Sequence, residues 1–253
     1  MAKYQSPALE KGLDILEYLS LKDIPQSQTE IATATNRKPN EIYRMLICLE
    51  ERGYITKVQV SGKYSLSLKL YHLSHRHPPI NTIRMAALYP MQELSEYSKQ
   101  SCHLSILYKY NVLVIAQSLN AGPISLSVED GSLFPVYMTS SGRVILSSLT
   151  KDEQLFYLEK VPEFKKLPEA KKSKYLNEIA KISLDGYDIR ESETTIGVLD
   201  IVVPLNIPEI NVTGALAVTI LSGQIQKIVG KHKILKNAQH AIEQIYKNLG
   251  IKV

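Results

Sequence analysis

The chain has 253 residues, 44% of them hydrophobic and 22% charged, with a formal net charge of +5. That length favours two modest domains, and the composition supplies a buried core to each, which excludes extensive disorder. The two cysteines, Cys48 and Cys102, stand far apart in apolar surroundings, which excludes a disulfide framework and a thiolate metal site.

Leucines 9, 13, 16 and 19 recur at helical spacing and predict a first helix over 7–19, with Ser6 as its cap and Pro7 at its first position. Ser27 followed by Glu30 has the pattern of a capping box, so a second helix starts there and ends near Asn36, a residue that tolerates the left-handed backbone of a tight helix-helix turn. Pro39 opens a third helix that runs to Arg52 and is stopped by Gly53, with Ile42, Met45 or Leu46, and Leu49 on its apolar face. Cys48 in this helix is read as a small packing residue. Residues 54–58 and 64–66 form two short strands about the turn Ser61-Gly62-Lys63, which makes a wing. Residues 68–73 are helical again, and Pro78-Pro79 is a stiff linker.

Beyond the linker an amphipathic helix is expected over 83–97, kinked or divided by Pro90. Strands over 104–108 and 112–117 flank Tyr110-Asn111 as a hairpin, and 124–128 is a further strand. Helices follow over 143–149, after Thr150, and over 171–184; strong strands over 198–204 and 214–221 precede a last helix from near Ser222 to about Leu249. Mixed helices and mostly antiparallel strands in this order predict an α+β domain. Residues 1–10 lack the apolar core of a signal peptide, and no run approaches the roughly 18 apolar residues of a spanning helix, so the expected location is cytoplasmic.

The charge is unevenly placed. From Arg52 to Glu93 the chain carries Arg52, Lys57, Lys63, Lys69, Arg76 and Arg84 and no carboxylate in between, directly after the helix-turn-helix pattern. Such a run suits a row of phosphates, because neutralising them releases condensed counterions.

The whole chain resembles the IclR family of transcriptional regulators. The N-terminal likeness rests on Thr29-Glu30-Ile31-Ala32, Ile42-Tyr43-Arg44-Met45-Leu46, Leu49 to Ile55 and Gly62-Lys63-Tyr64-Ser65-Leu66; the C-terminal likeness rests on Pro135, Thr139-Ser140-Ser141-Gly142-Arg143, Gly186-Tyr187, Gly197-Val198, Pro204 and Gly214 to Val218. It implies a winged helix-turn-helix domain over 1–78, joined by a linker helix to a GAF-like effector-binding domain over 79–253. It also implies a DNA-binding regulator, here expected to be a repressor, that acts as a homodimer or as a tetramer of paired dimers. Its expected partners are a pseudopalindromic operator and a small metabolite, commonly a carboxylate or an aromatic compound and here expected to be a carboxylate. The family's turn glycine and the apolar residue after it are Asn36 and Arg37 here. The small hydroxyl residues that open its recognition helix are Asn40 and Glu41. An aspartate after Gly-Tyr and a cysteine after Gly-Val are Arg190 and Asp200.

On this reading Lys38, Asn40, Glu41, Tyr43 and Arg44 face the major groove, where Arg44 suits guanine, Asn40 adenine and Glu41 cytosine; Tyr43 either joins them or packs inward. Lys57, Lys63 and Lys69 position phosphates without reading sequence. In the sensor, Ser140, Ser141, Arg190, Asp200 and Thr219 are expected to line the effector pocket. The start of a helix there favours an anion, and Arg190 offers a fork for a carboxylate. Alternatively Arg190 and Asp200 pair with each other and Ser140 only caps its helix.

No catalytic set completes Ser140-Ser141-Gly142: Met138 and Thr139 precede it where a GxSxG elbow needs glycine, so an enzyme is not expected. His72, His75 and His77 lack a neighbouring carboxylate or thiol, and are read as part of a basic helix rather than as a metal site; no cofactor is expected. The rival function is a small-molecule sensor that works through protein contacts without DNA.

Overall fold

The computed structural model describes residues 6–75, 78–122, 125–221 and 230–251. Two compact units divide the chain, Met1–Pro78 and Pro79–Val253.

In the first unit α1 (Pro7–Ser20), α2 (Gln28–Ala34) and α3 (Pro39–Glu51) precede a hairpin of β1 (Ile55–Lys57) and β2 (Tyr64–Leu66), and α4 (Lys69–His75) follows. Each helix contributes one buried stripe: Ile15 and Leu19, Ile31 and Ala32, Ile42 and Leu46 meet Ile55 and Tyr64 of the hairpin in one core. Local chemistry sets the boundaries. Ser27 Oγ accepts the Glu30 amide while the Glu30 carboxylate accepts the Ser27 amide, which closes the capping box. Asn36 and Gly53 take left-handed φ values of 52° and 73°, turning the chain out of α2 and α3. The wing is antiparallel with Lys57 opposite Tyr64.

Three expectations fail in this unit. The Ser6 side chain makes no cap bond, so only Pro7 marks the start of α1. Leu9 and Leu13 are exposed, and the apolar stripe of α1 is buried only in its second half. Cys48 is exposed because it stands six residues after Ile42, off the face formed by Ile42, Leu46 and Leu49.

The second unit opens with α5 (Pro78–Ser98), so Pro78 and Pro79 begin a helix rather than forming a separate linker, at the position where a missing N–H costs nothing. Pro90 does not divide α5. It cannot supply the N–H that the Ala86 carbonyl needs, and Asn248 Nδ2 donates to that carbonyl instead, at 2.9 Å. Next come β3 (Ser101–Tyr108), β4 (Asn111–Ser118) and β5 (Leu133–Pro135), then α6 (Ser140–Ser147), α7 (Lys151–Leu158), α8 (Pro162–Lys165) and α9 (Glu169–Asp185). The chain closes with β6 (Asp188–Glu191), β7 (Val198–Ile207), β8 (Val212–Leu221) and α10 (Lys231–Asn248). The expected start of the last helix near Ser222 lies outside the described residues.

One six-stranded antiparallel sheet has the order β5-β4-β3-β8-β7-β6. Both faces are buried, and the period of two along each strand sorts its residues. Leu104, Ile106, Ile201, Val203, Leu216 and Val218 pack with residues of α5 and α10. Val112, Val202, Ala215 and Ala217 pack with α6, α7, α8 and α9. Residues 125–128, expected as a strand, form no regular structure, because the outer edge of β4 is taken by β5 through Val112↔Phe134 and its neighbours. Pro123 and Ile124 lie outside the described residues.

Candidate functional sites

The first candidate surface is the N-terminal half of α3. Pro39 at its first position and the apolar face at Ile42 and Leu46 turn Lys38, Asn40, Glu41, Tyr43 and Arg44 outward, and all five are exposed. Tyr43 is half exposed, so it does not pack inward. Glu41 is drawn aside by an ion pair with Lys11 of α1 at 3.2 Å. Arg37, which would crowd the approach, is likewise tied back to Asp14 at 3.3 Å.

The basic run separates into unequal parts. Lys57 lies 5.4 Å above the Tyr64 ring with its side chain at the wing surface, and Lys63 stands 3.7 Å from Glu30. Lys69 has a different task. Its ammonium donates to the Arg52 carbonyl at the end of α3 and covers the Tyr54 ring at 4.6 Å, so it closes a helix end rather than standing free for phosphate. Arg84 belongs to the second unit and pairs with Asp130 at 3.2 Å. Arg76 and His77 lie outside the described residues. Among the described residues no group of three His, Cys, Asp or Glu side chains could hold a metal ion.

The second candidate site is a cavity of ≈ 410 Å³ in the Pro79–Val253 unit, on the side of the sheet that α6 covers. Alternation brings His103 and Ser105 of β3, Val112 and Val114 of β4, Asp200 of β7 and Thr219 of β8 to its wall. The irregular segment at Leu126–Glu129 lines it too, and the Ser127 hydroxyl donates to Gln117 at 2.9 Å. Thr139 caps α6 by accepting the Gly142 amide, which sets Ser140 and Ser141 at the cavity edge. Gly142 is needed there, since a Cβ would lie 1.9 Å from the Val136 carbonyl oxygen.

Ser140 Oγ donates to Asp200 Oδ2 at 2.8 Å, so the serine holds a carboxylate and is no free nucleophile. Burial raises the Asp200 pKa above the usual carboxylate range, against the lowering effect of its hydroxyl partners. His103 is held neutral by burial, which brings its pKa down to about 4. On the wall Ser105 Oγ is buried and makes no hydrogen bond, and Thr219 faces Asp200 across the β7-β8 pair as one of the hydroxyls around its carboxyl.

Arg190 does not line the cavity. It is opposite Asp200 in register, yet its guanidinium turns to Asp188 and to Glu178 at 3.1 Å, so neither the effector fork nor the Arg190–Asp200 pair forms. The Asp188 carboxyl is buried behind it, and that pairing outweighs the cost of burying the guanidinium. Arg143, buried in α6, completes this network with Glu178 at 3.0 Å and with Glu193, and stacks 4.1 Å from the Tyr175 ring. These cations therefore hold α6, α9 and β6 together.

The model of the bacterial transcriptional regulator IclR C-terminal region matches residues 80–247, and that of the IclR helix-turn-helix domain matches residues 8–59. The chain belongs to the IclR family of transcriptional regulators. Such a family is one of regulators and not of enzymes. The HTH-type transcriptional regulator KdgR of Escherichia coli K12 is 31% identical over 142 residues, 56% of this chain and 53% of KdgR, so this match spans about half the length of each. XynR of the same organism is 25% identical over 220 residues, 86% of this chain and 87% of XynR. In fold the chain is similar to an IclR homologue of Microbacterium hydrocarbonoxydans crystallised with 4-hydroxybenzoate. That comparison has a TM-score of 0.81 at 18% identity and covers 96% of this chain and 99% of the other. No helix among the described residues of this IclR-family chain is long and apolar enough to cross a membrane.

The cavity contains residues that the sequence reading passes over, His103, Ser105, Glu129, Ser192, Thr194 and Thr195 among them. Only alternation on the buried strand β3 carried a signal: a polar residue at every second position, Ser101, His103 and Ser105, within an otherwise apolar strand.

Proposed function

We propose that this chain is a DNA-binding transcriptional repressor that reads a pseudopalindromic operator as a homodimer or as a tetramer of paired dimers, and that a small metabolite in the sensor cavity modulates the binding. The observation that carries the reading is the exposed polar start of α3, where Asn40, Tyr43 and Arg44 project with no described ion-pair partner. Arg44 is assigned to a guanine and Asn40 to an adenine, each by paired hydrogen bonds. Lys38 and Lys57 are assigned to phosphates, with Lys63 shared between phosphate and Glu30. Glu41 and Lys69 have smaller parts, because Lys11 and the Arg52 carbonyl already engage them. Repression follows from occupancy alone when the operator overlaps a promoter.

For the sensor, Ser140, Ser141, Asp200 and Thr219 are kept as effector contacts and Arg190 is not. The expectation of a carboxylate effector rested on the helix start at Ser140 and on the Arg190 fork, and it loses the second support. The fold relative solved with 4-hydroxybenzoate supports a small organic molecule as the effector class.

The test is footprinting on DNA upstream of the chain's own reading frame. Two protected half-sites about 10 base pairs apart are expected, with binding that weakens steeply as salt rises. Arg44→Ala is expected to lose about 1 to 3 kcal/mol, roughly 10- to 100-fold in affinity. Equal binding by that variant takes α3 out of the groove.

A further inference from the structure

We propose that the sensor cavity takes an uncharged, polyhydroxylated small molecule of the sugar or polyol class in preference to a carboxylate. This rests on reading the cavity as the effector site.

The place where an anion would settle already faces a carboxyl group of the protein itself. The start of α6 stands at the cavity edge, and the positive end of its dipole is the ordinary setting for a bound carboxylate. Asp200 stands there instead, fixed by its position in β7 and by the 2.8 Å bond from Ser140 Oγ. The nearest cation in register does not neutralise it, since Arg190 is committed to Asp188 and Glu178. A ligand carboxylate at α6 would therefore meet a like charge within a partly water-excluded cavity. Glu129 at the rim adds a second acidic group, and His103, held neutral by burial, adds no positive charge.

The remaining lining asks for hydroxyls. Serine and threonine make up more than half of the residues around the cavity. Of these, Ser105 is fully buried, with its Oγ unpaired, and Thr219 stands opposite Asp200. Each hydroxyl can both donate and accept, and Asp200 can only accept while ionised. A ligand whose own hydroxyls donate to Asp200 and exchange bonds with Ser105 and Thr219 satisfies all three, whereas an aliphatic ligand leaves them unmet at a cost. Val112, Val114 and Phe134 form an apolar wall for the C–H face of such a molecule. The volume of ≈ 410 Å³ lies in the range that holds small ligands.

The test uses pairs that differ in one group: glycerol and glycerate, xylose and xylonate, glucose and gluconate, each titrated calorimetrically into the full-length protein. At least one neutral member is expected to bind, with its acid partner weaker by about tenfold or more, as a like-charge contact demands. Asp200→Asn should narrow that gap by about tenfold through better binding of the acid, and Asp200→Ser supplies the same comparison where the amide variant folds poorly. Thr219→Val should weaken the neutral member and leave the preference between the two unchanged. An acid that binds the wild type as tightly as its neutral partner, or acids that bind while no neutral member does, overturns the assignment of class but leaves the effector site standing. Failure of every member, together with unchanged operator affinity in a cavity-filling Ser105→Leu variant, removes the effector site and the inference with it.

Discussion

In the Met1–Pro78 unit the candidate contact residues Asn40, Tyr43 and Arg44 stand in solvent, whereas in the Pro79–Val253 unit Ser105, Thr219 and Asp200 are drawn into a cavity wall. The first arrangement leaves polar groups hydrated until a partner displaces the water. The second withdraws them from water in advance and leaves Ser105 unpaired, an expense the fold sustains through the packed layers on both faces of its sheet. A surface of the first kind suits a long, charged, hydrated partner. A site of the second kind suits a small molecule with matched hydrogen bonds, because a partner lacking them leaves the protein's own groups unsatisfied.

The contrast can be broken at the cavity more severely than at α3. Gly142→Ala forces a Cβ to within 1.9 Å of the Val136 carbonyl oxygen, so the start of α6 must shift away from Val136. A loss of about 3 kcal/mol or more in urea unfolding is expected, a cost typical of overpacking against backbone. Stability equal to the wild type would mean that the start of α6 is not held as described.

A smaller effect tests whether the wall is withdrawn from water. With its pKa near 4, His103 stays neutral in the folded protein while the unfolded chain takes up a proton near pH 6.5. The sign follows directly: above about pH 6.5 neither state binds the proton, and as pH falls toward about 4 only the unfolded state does, so stability drops by about 3 kcal/mol over that window. Asp200 acts in the opposite direction, since its raised pKa favours the folded state as it protonates. The informative quantity is therefore the difference between wild type and His103→Gln in melts across this range, and a difference that stays constant with pH would mean His103 is solvated.

The smallest effect sharpens the other side. Lys57→Ala should reduce the slope of log affinity against log salt by about 1, as loss of one phosphate contact does. Lys69→Ala should leave that slope alone and lower the melting temperature, because its ammonium serves the Arg52 carbonyl and the Tyr54 ring. Equal salt effects for the two lysines would erase the distinction.

How much of this was legible in the sequence follows the same division. The reading unit is built from contiguous signals, and Ser27 with Glu30, Asn36, Pro39 and Gly53 each act on their own neighbours, so α2, α3 and the turn between them could be located from local chemistry alone. What its side chains do once folded was less legible. Lys11 on Glu41 and Arg52 on Lys69 are contacts across elements, which the charge run by itself does not encode. The cavity is assembled from β3, β4, α6, β7, β8 and an irregular segment, so proximity rather than spacing defines it. Ser140, Ser141 and Asp200 are located by family motifs and Thr219 follows the last of them, while His103 and Ser105 are hidden in an ordinary buried strand. Arg190 was misplaced for a physical reason: Asp188, two residues earlier on the same face, competes for its guanidinium more closely than Asp200 does across the strands.

The most direct measurement is a fluorescence-anisotropy titration of DNA from upstream of the chain's own reading frame, with wild type and Arg44→Ala compared at low and at moderate salt. The account predicts tight binding at low salt, a steep fall as salt rises, and weaker binding by Arg44→Ala of roughly 10- to 100-fold at either salt. Salt-insensitive binding, or equal affinity of the two proteins, would contradict it.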